Sequence, residues 1–189
     1  MHARWSPESS PSEPERSSKS AGSGATVEQA KQVCLRLLGL RAHSRAELAK
    51  RLAAKGYPPE VSEQALDRLT TVGLVDDAAF AEQWVHSRHH ISGKGRQALA
   101  QELRRKGVAQ SNIASALAAI TTDDEESRAT RLVQRKVRTL TGAQDRDKVF
   151  RRLVGMLVRR GYQQHMAYRV VEAALADRGD GGDTVAPID

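Results

Sequence analysis

Three nonapeptides decide how this chain reads: LAKRLAAKG at residues 48–56, LAQELRRKG at 99–107 and LVGMLVRRG at 153–161. Each has the form Leu-x-x-x-Leu-x-x-basic-Gly. Leucines four apart share one face of a helix. A glycine behind a basic residue is how such a helix ends, because glycine tolerates left-handed backbone and a cation opposes the helix dipole. An apolar residue follows each time: Tyr57, Val108 or Tyr162. Ten residues past each glycine stands Leu66, Leu117 or Val171, inside another helical run. A further helical run precedes each nonapeptide, at approximately 27–40, 76–91 and 123–140. The period, near 50 residues, suits an array of helical units.

Working outward, the pattern predicts an all-α chain of nine helices in three tandem three-helix repeats, at 26–75, 76–121 and 122–178. Capping-box spacing marks Thr26 with Gln29, Ser44 with Glu47, and Thr122 with Glu125. Aromatic residues are only 4% of the 189, which suits packed helices better than a sheet. Each unit is too small for a sizeable core, so neighbours are expected to stack and share burial, or to stay partly mobile about their joints. Residues 1–25 are rich in Ser, Pro, Gly and Glu, with Trp5 the one bulky group, and are expected to be disordered. Residues 179–189, GDGGDTVAPID, read as a second, acidic tail.

The formal charge is +7, unevenly spread. Residues 26–126 hold 14 Lys/Arg against 13 Asp/Glu, whereas 127–178 hold 13 against 4. The third unit is the basic end, and its partners should be negatively charged. Arg128, Arg131, Arg135 and Arg138 recur at three- and four-residue steps on one helix face, with Leu132, Val133, Val137 and Leu140 on the core side. Lys148, Arg152 and Arg159 make a second stripe, with Val149, Leu153, Met156 and Leu157 turned inward. A further cluster comprises Arg88, Lys94, Arg96, Arg104, Arg105 and Lys106. Such faces either dock anions or are simply solvated; the surplus across the third unit favours docking there.

Other constellations read as structural. Ser92-Gly93-Lys94-Gly95-Arg96 lacks the spacing and the preceding strand of a nucleotide-binding loop, so it is expected to be a flexible joint between helices. His86, His89 and His90 lack a nearby Cys or an H-E-x-x-H motif and read as solvated or anion-facing, with no metal. Asp76-Asp77 and Asp123-Asp124-Glu125-Glu126 precede helices, where negative charge is favoured. Phe80 and Trp84 read as core, and the lone Cys34 as a buried thiol, so no internal disulfide can form. No nucleophile–base–acid set emerges, and the chain is not expected to be an enzyme. No apolar run approaches a membrane span, and the first residues lack a secretory core, so the expectation is a cytoplasmic protein.

The middle of the chain resembles a known family. Leu35-Arg36-Leu37-Leu38, Ser44-x-x-Glu47-Leu48 and Leu52 come first. Gly73-Leu74-Val75-Asp76-Asp77 with Phe80-Ala81, then Gly93-Lys94-Gly95-Arg96, then Glu102-Leu103-Arg104-Arg105-Lys106-Gly107-Val108 come after them in that order. Together with Arg159-Arg160-Gly161-Tyr162 they are similar to the RecX regulators of the RecA recombinase, over about residues 27–176. His43 departs mildly from the basic or aromatic residue the family often has before the serine. The resemblance implies three tandem three-helix repeats in an elongated, curved monomer without cofactor. It also implies binding to the RecA–DNA filament, in its groove, and inhibition of strand exchange, ATP hydrolysis and co-protease activity, hence a role in DNA repair, recombination and the SOS response. The contact residues expected are Arg88, Lys94, Arg96, Arg104, Arg105, Arg131, Arg135, Arg138, Lys148, Arg152 and Arg159. A second reading is a direct binder of single- or double-stranded DNA, since the helix pair at 44–72 resembles a helix-turn-helix.

Overall fold

The computed structural model describes residues 26–139 and 145–180, with side chains for 26–139 and 145–176. The expected tails at 1–25 and 181–189, with Trp5 and the core role given to Leu140, lie outside the described residues. Among those described there are nine helices and no strand. The first triplet is α1 (Val27–Leu38), α2 (Arg45–Ala54) and α3 (Pro59–Thr71). The second is α4 (Asp77–His90), α5 (Arg96–Arg105) and α6 (Gln110–Ala118). The third is α7 (Thr122–Arg138), α8 (Arg146–Arg159) and α9 (Gln164–Asp180). Residues 179 and 180, which composition alone assigns to the acidic tail, are thus still helical.

The repeated nonapeptide closes α2, α5 and α8 identically. Gly56, Gly107 and Gly161 have φ of 82°, 75° and 87°. The next residue's N–H turns back to the carbonyl of the second leucine: Tyr57 to Leu52, Val108 to Leu103, Tyr162 to Leu157, at 3.1–3.2 Å. This satisfies carbonyls that a helix end otherwise leaves unpaired. Both leucines of every copy are buried.

At the helix starts, two of the three expected capping boxes form as read, at Thr26 and Ser44. The third is shifted by one residue: Thr121 caps α7 and pairs with Asp124. Glu125 is engaged elsewhere. It is buried and accepts the backbone N–H of Arg96 in the second unit, at 2.8 Å.

The apolar side chains form three separate clusters, one per triplet, and not the shared core that unit size suggests. Leu48, Leu52 and Leu66 centre the first, with the buried Cys34. Leu99, Leu103 and Ile113 centre the second. Leu153, Leu157 and the wholly buried Tyr162 centre the third.

Polar junctions of one design join the triplets. Where the first meets the second, the Ser44 hydroxyl donates to the Lys106 carbonyl at 2.6 Å. The Arg45 N–H donates to Asp77 Oδ1 at 2.8 Å, and the Lys106 ammonium to Glu47 Oε1 at 2.7 Å. Where the second meets the third, the Gly95 N–H donates to the Arg160 carbonyl at 2.8 Å and Gln97 to Gly161 at 3.2 Å. Arg160 donates in return to the Ser92 carbonyl at 2.8 Å, and the Tyr162 hydroxyl to Gly93 at 3.3 Å. In both junctions the end of one unit's middle helix abuts the start of the preceding unit's middle helix. In both, a carboxylate from the later unit's first helix accepts the first N–H of the earlier unit's middle helix. Helix starts leave such N–H groups unsatisfied, and hydrogen bonds to ionised groups contribute about 1.5–3 kcal/mol each. The Ser92–Arg96 segment is therefore not a flexible joint. It is clamped by the third unit.

Glu47 makes the first junction sensitive to acid. Burial alone raises its carboxyl, but hydrogen bonds from Lys106 and Arg41 outweigh that and bring it down to about 2. A carboxyl lowered on folding contributes stability that is complete above its unfolded value near 4.5 and is lost as pH falls toward 2. For this partly exposed side chain the loss should reach about 2 kcal/mol. Urea unfolding at pH 5, 4 and 3 should show that decline, and Glu47→Gln should flatten it. An equally steep decline in the variant would place the acid sensitivity elsewhere.

Candidate docking surface

The basic residues sort into two classes once their neighbours are known. Arg88, Lys94 and Arg96 are engaged within the fold. Arg88 Nε lies 3.2 Å and Lys94 Nζ 3.8 Å from the Glu102 carboxylate, which also accepts the Trp84 indole N–H at 2.9 Å. These partners outweigh burial and hold the Glu102 carboxyl below its ordinary range. The Arg96 guanidinium donates to the Ile120 carbonyl at 3.0 Å. Arg104 and Arg105, at the end of α5, are exposed; Arg104 reaches Gln110 at 3.3 Å.

Trp84 is only half-buried, unlike Phe80 beside it. It lies between two cations, with Arg88 5.2 Å and Lys106 4.0 Å from its ring. Lys106 and Arg160 are the junction residues that sequence reasoning missed as such. Both occupy the basic position of the nonapeptide, and in both copies that residue reaches into the preceding unit. The recurrence was visible; the direction of the side chain was not.

The histidines also divide. His86 and His90 are exposed, but His89 is buried, with Nδ1 2.9 Å from the Lys94 carbonyl. It props the clamped segment from inside and is not solvated as its neighbours are. His43 is buried beside Glu47, and burial, followed by the Arg41 charge, lowers its basicity. Among the described residues no three His, Cys, Asp or Glu side chains come together as a metal would require. No described helix is long and apolar enough to cross a membrane.

The third unit carries a further set of exposed cations, on α7 and α8. Arg128, Arg131, Arg135 and Arg138 do share one face of α7 and, with Gln134, line a cleft of about 260 Å³. Its inner end is fixed, because Arg128 donates to the His90 carbonyl of the second unit, while its Nε is buried without a partner. Arg131, Arg135 and Arg138 are exposed and have no ion-pair partner among the described residues. Behind them Ala129, Leu132 and Val133 are buried, so packing holds the helix with its arginines outward. On α8, Lys148 is exposed 3.6 Å from Asp145, Arg152 is exposed, and Arg159 is exposed with its guanidinium over Gly155. Guanidiniums about one helical turn apart on one face suit carboxylate or phosphate oxygens.

Three family models match in tandem: the first three-helix domain of RecX over residues 30–69, the second over 76–117 and the third over 123–171. A Mycolicibacterium smegmatis protein named Regulatory protein RecX is 58% identical over 153 residues, covering 79% of this chain and 81% of that protein. A Streptomyces coelicolor protein of the same name is 49% identical over 154 residues, covering 82% and 81%. Among solved structures, RecX from Lactobacillus salivarius has the same fold, with a TM-score of 0.68 at 16% identity, covering 80% of this chain and 95% of that one. A second regulatory protein RecX superposes with a TM-score of 0.65 at 23% identity, covering 78% and 71%.

Proposed function

The chain belongs to the RecX family, and from that premise we propose that it is a regulator that binds the RecA–DNA filament and inhibits its recombinase, ATPase and co-protease activities. In this reading it modulates DNA repair and the SOS response, acts as a cytoplasmic monomer, and performs no chemistry of its own. The observation that carries the proposal is the arginine cleft of α7, whose outer guanidiniums have no carboxylate partner among the described residues. A filament on DNA offers acidic protein surface and phosphate to such a face. The clamped junctions hold the second and third units in one relative placement, so contacts on Arg104, Arg105 and α7 can be made together. Direct DNA binding is the competing reading, because phosphate alone suits the same cleft.

One comparison separates the two. The chain is titrated against naked single-stranded DNA and against preformed RecA filaments, with RecA ATPase followed in parallel. Tight filament binding beside weak naked-DNA binding, with ATPase falling, is expected. Equal affinity for both, with a steep salt dependence, would instead make it a DNA binder.

A further inference from the structure

The first two units each expose one large aliphatic side chain at the same place in the repeat. Leu40 is 83% and Ile91 79% exposed. Each stands four residues before the residue that caps its unit's middle helix, Ser44 or Gly95. The interval between them equals that from Leu48 to Leu99 and from Gly56 to Gly107. Neither belongs to the apolar cluster of its unit, so the core does not require them. An isolated exposed aliphatic residue is ordinary on a protein surface. Val72 and Leu74 are of that kind: at the same interval beyond them stand the carboxylates Asp123 and Glu125. Leu40 and Ile91 differ in that the repeat preserves them.

Backbone hydrogen bonds hold both positions. The Leu40 N–H donates to the Leu37 carbonyl at 3.1 Å and the Ile91 N–H to the Ser87 carbonyl at 2.9 Å. The residues just beyond them are fixed by the junctions: the Ser44 hydroxyl donates to the Lys106 carbonyl, and the Gly93 carbonyl accepts from the Tyr162 hydroxyl. Side chains presented from a fixed backbone lose little freedom on docking. Ile91 also borders the docking surface on α7. Arg128, which lines that cleft, donates to the carbonyl of His90, the residue before Ile91.

We propose, resting on the filament reading above, that Leu40 and Ile91 seat in equivalent apolar sockets on two protein subunits of the filament. Matching knobs one repeat apart fit matching sockets one subunit apart, and an assembly of identical subunits supplies such sockets. Nucleic acid is the other surface that takes an aliphatic wedge, between base steps. Insertion there needs cations free to hold the phosphates, and around these knobs the cations are committed. Arg41 pairs with Glu47, Arg88 with Glu102, and Arg128 with the His90 carbonyl. Residues 26–126 are also close to neutral, with 14 Lys/Arg against 13 Asp/Glu. Charge therefore favours an apolar protein socket over a polyanion at both places. The α7 arginines supply attraction, and the two knobs fix where along the filament the chain comes to rest.

The parent chain, Leu40→Ser, Ile91→Ser and the double variant are titrated against preformed RecA filaments on single-stranded DNA, and against the same DNA naked. Both side chains face solvent, so circular dichroism and urea unfolding of the variants should match the parent. Each single variant should bind filaments about 10-fold more weakly, as losing the burial of one aliphatic side chain implies. The double variant should lose about 100-fold, because separated sites add. Val72→Ser removes an aliphatic side chain that is 66% exposed but has no aliphatic counterpart in the second unit, and it should bind as the parent does. A double variant that binds filaments as tightly as the parent overturns the assignment. So does a loss confined to one position, or an equal loss from Val72→Ser. An equal loss on naked DNA overturns it too, by making the side chains wedges between bases. If the parent chain itself fails to bind filaments, the filament reading falls and this assignment with it.

Discussion

Replacing Gly161 by alanine is expected to destabilise the protein by about 2–4 kcal/mol and to uncouple the third unit from the second. Two costs combine. The backbone there has φ of 87°, where an L side chain is strained by about 1–2 kcal/mol. The added Cβ would also collide with the backbone nitrogen and Cβ of Ala98. That obstacle is not a flexible side-chain end, so α5 and α8 must move apart. Movement breaks the bonds from Gly95 and Gln97 to Arg160 and Gly161. Gly56→Ala is the matched control, because its φ is 82° but nothing lies within 4 Å of the added carbon. It should cost the backbone strain alone. Urea unfolding followed by circular dichroism measures both. Since each triplet has its own core, Gly161→Ala should also broaden the transition as the third unit melts apart from the others. If the two variants cost the same, the contact at Ala98 does not hold the junction.

The fold was legible because its signals are local. A leucine pair, a basic residue and a glycine lie within nine residues, and repetition turned a common helix ending into an architecture. The faces of α7 were equally legible, since three- and four-residue steps fix which side chains lie together. What sequence could not show is how the triplets meet. Glu125 looked like a capping partner for Thr122, and spacing cannot tell a carboxylate turned along its own helix from one turned into a neighbour. Arg88, Lys94 and Arg96 looked like surface cations for the same reason: Glu102 and the Ile120 carbonyl reach them only through packing. Expecting a shared core came from unit size, yet nonpolar surface closed on itself in each triplet and the joints were left to polar groups.

That division bears on function. Units with separate cores, joined by hydrogen bonds and carboxylates, keep a fixed relative placement only while those bonds are made. Gly95 shows how tight the placement is, since a Cβ there would come within 2.5 Å of the Gly161 carbonyl oxygen. The segment carrying the Lys94 and Arg96 cations is thus the same segment that positions α7. Substitutions there would alter docking by moving the third unit as much as by removing charge, so they cannot map the contact surface.

The exposed arginines of α7 can. Arg131→Glu, Arg135→Glu and Arg138→Glu together should raise the concentration needed to inhibit RecA's DNA-dependent ATPase by about 10- to 100-fold at low salt, with exposed ion contacts worth about 0.2–1 kcal/mol each and repulsion replacing attraction. The three side chains face solvent, so stability should stay within about 0.5 kcal/mol of the parent chain. Salt supplies a second readout. If the contacts are to phosphate, losing three should reduce the log–log salt slope of binding by about 2–3. If they are to carboxylates on the recombinase, the loss of affinity should persist while the slope changes less. Arg104→Glu with Arg105→Glu, on the second unit, tests whether the surface extends across the junction. A folded triple variant that inhibits as well as the parent chain would remove the α7 face from the interface and with it the assignment of the third unit as the partner-facing end.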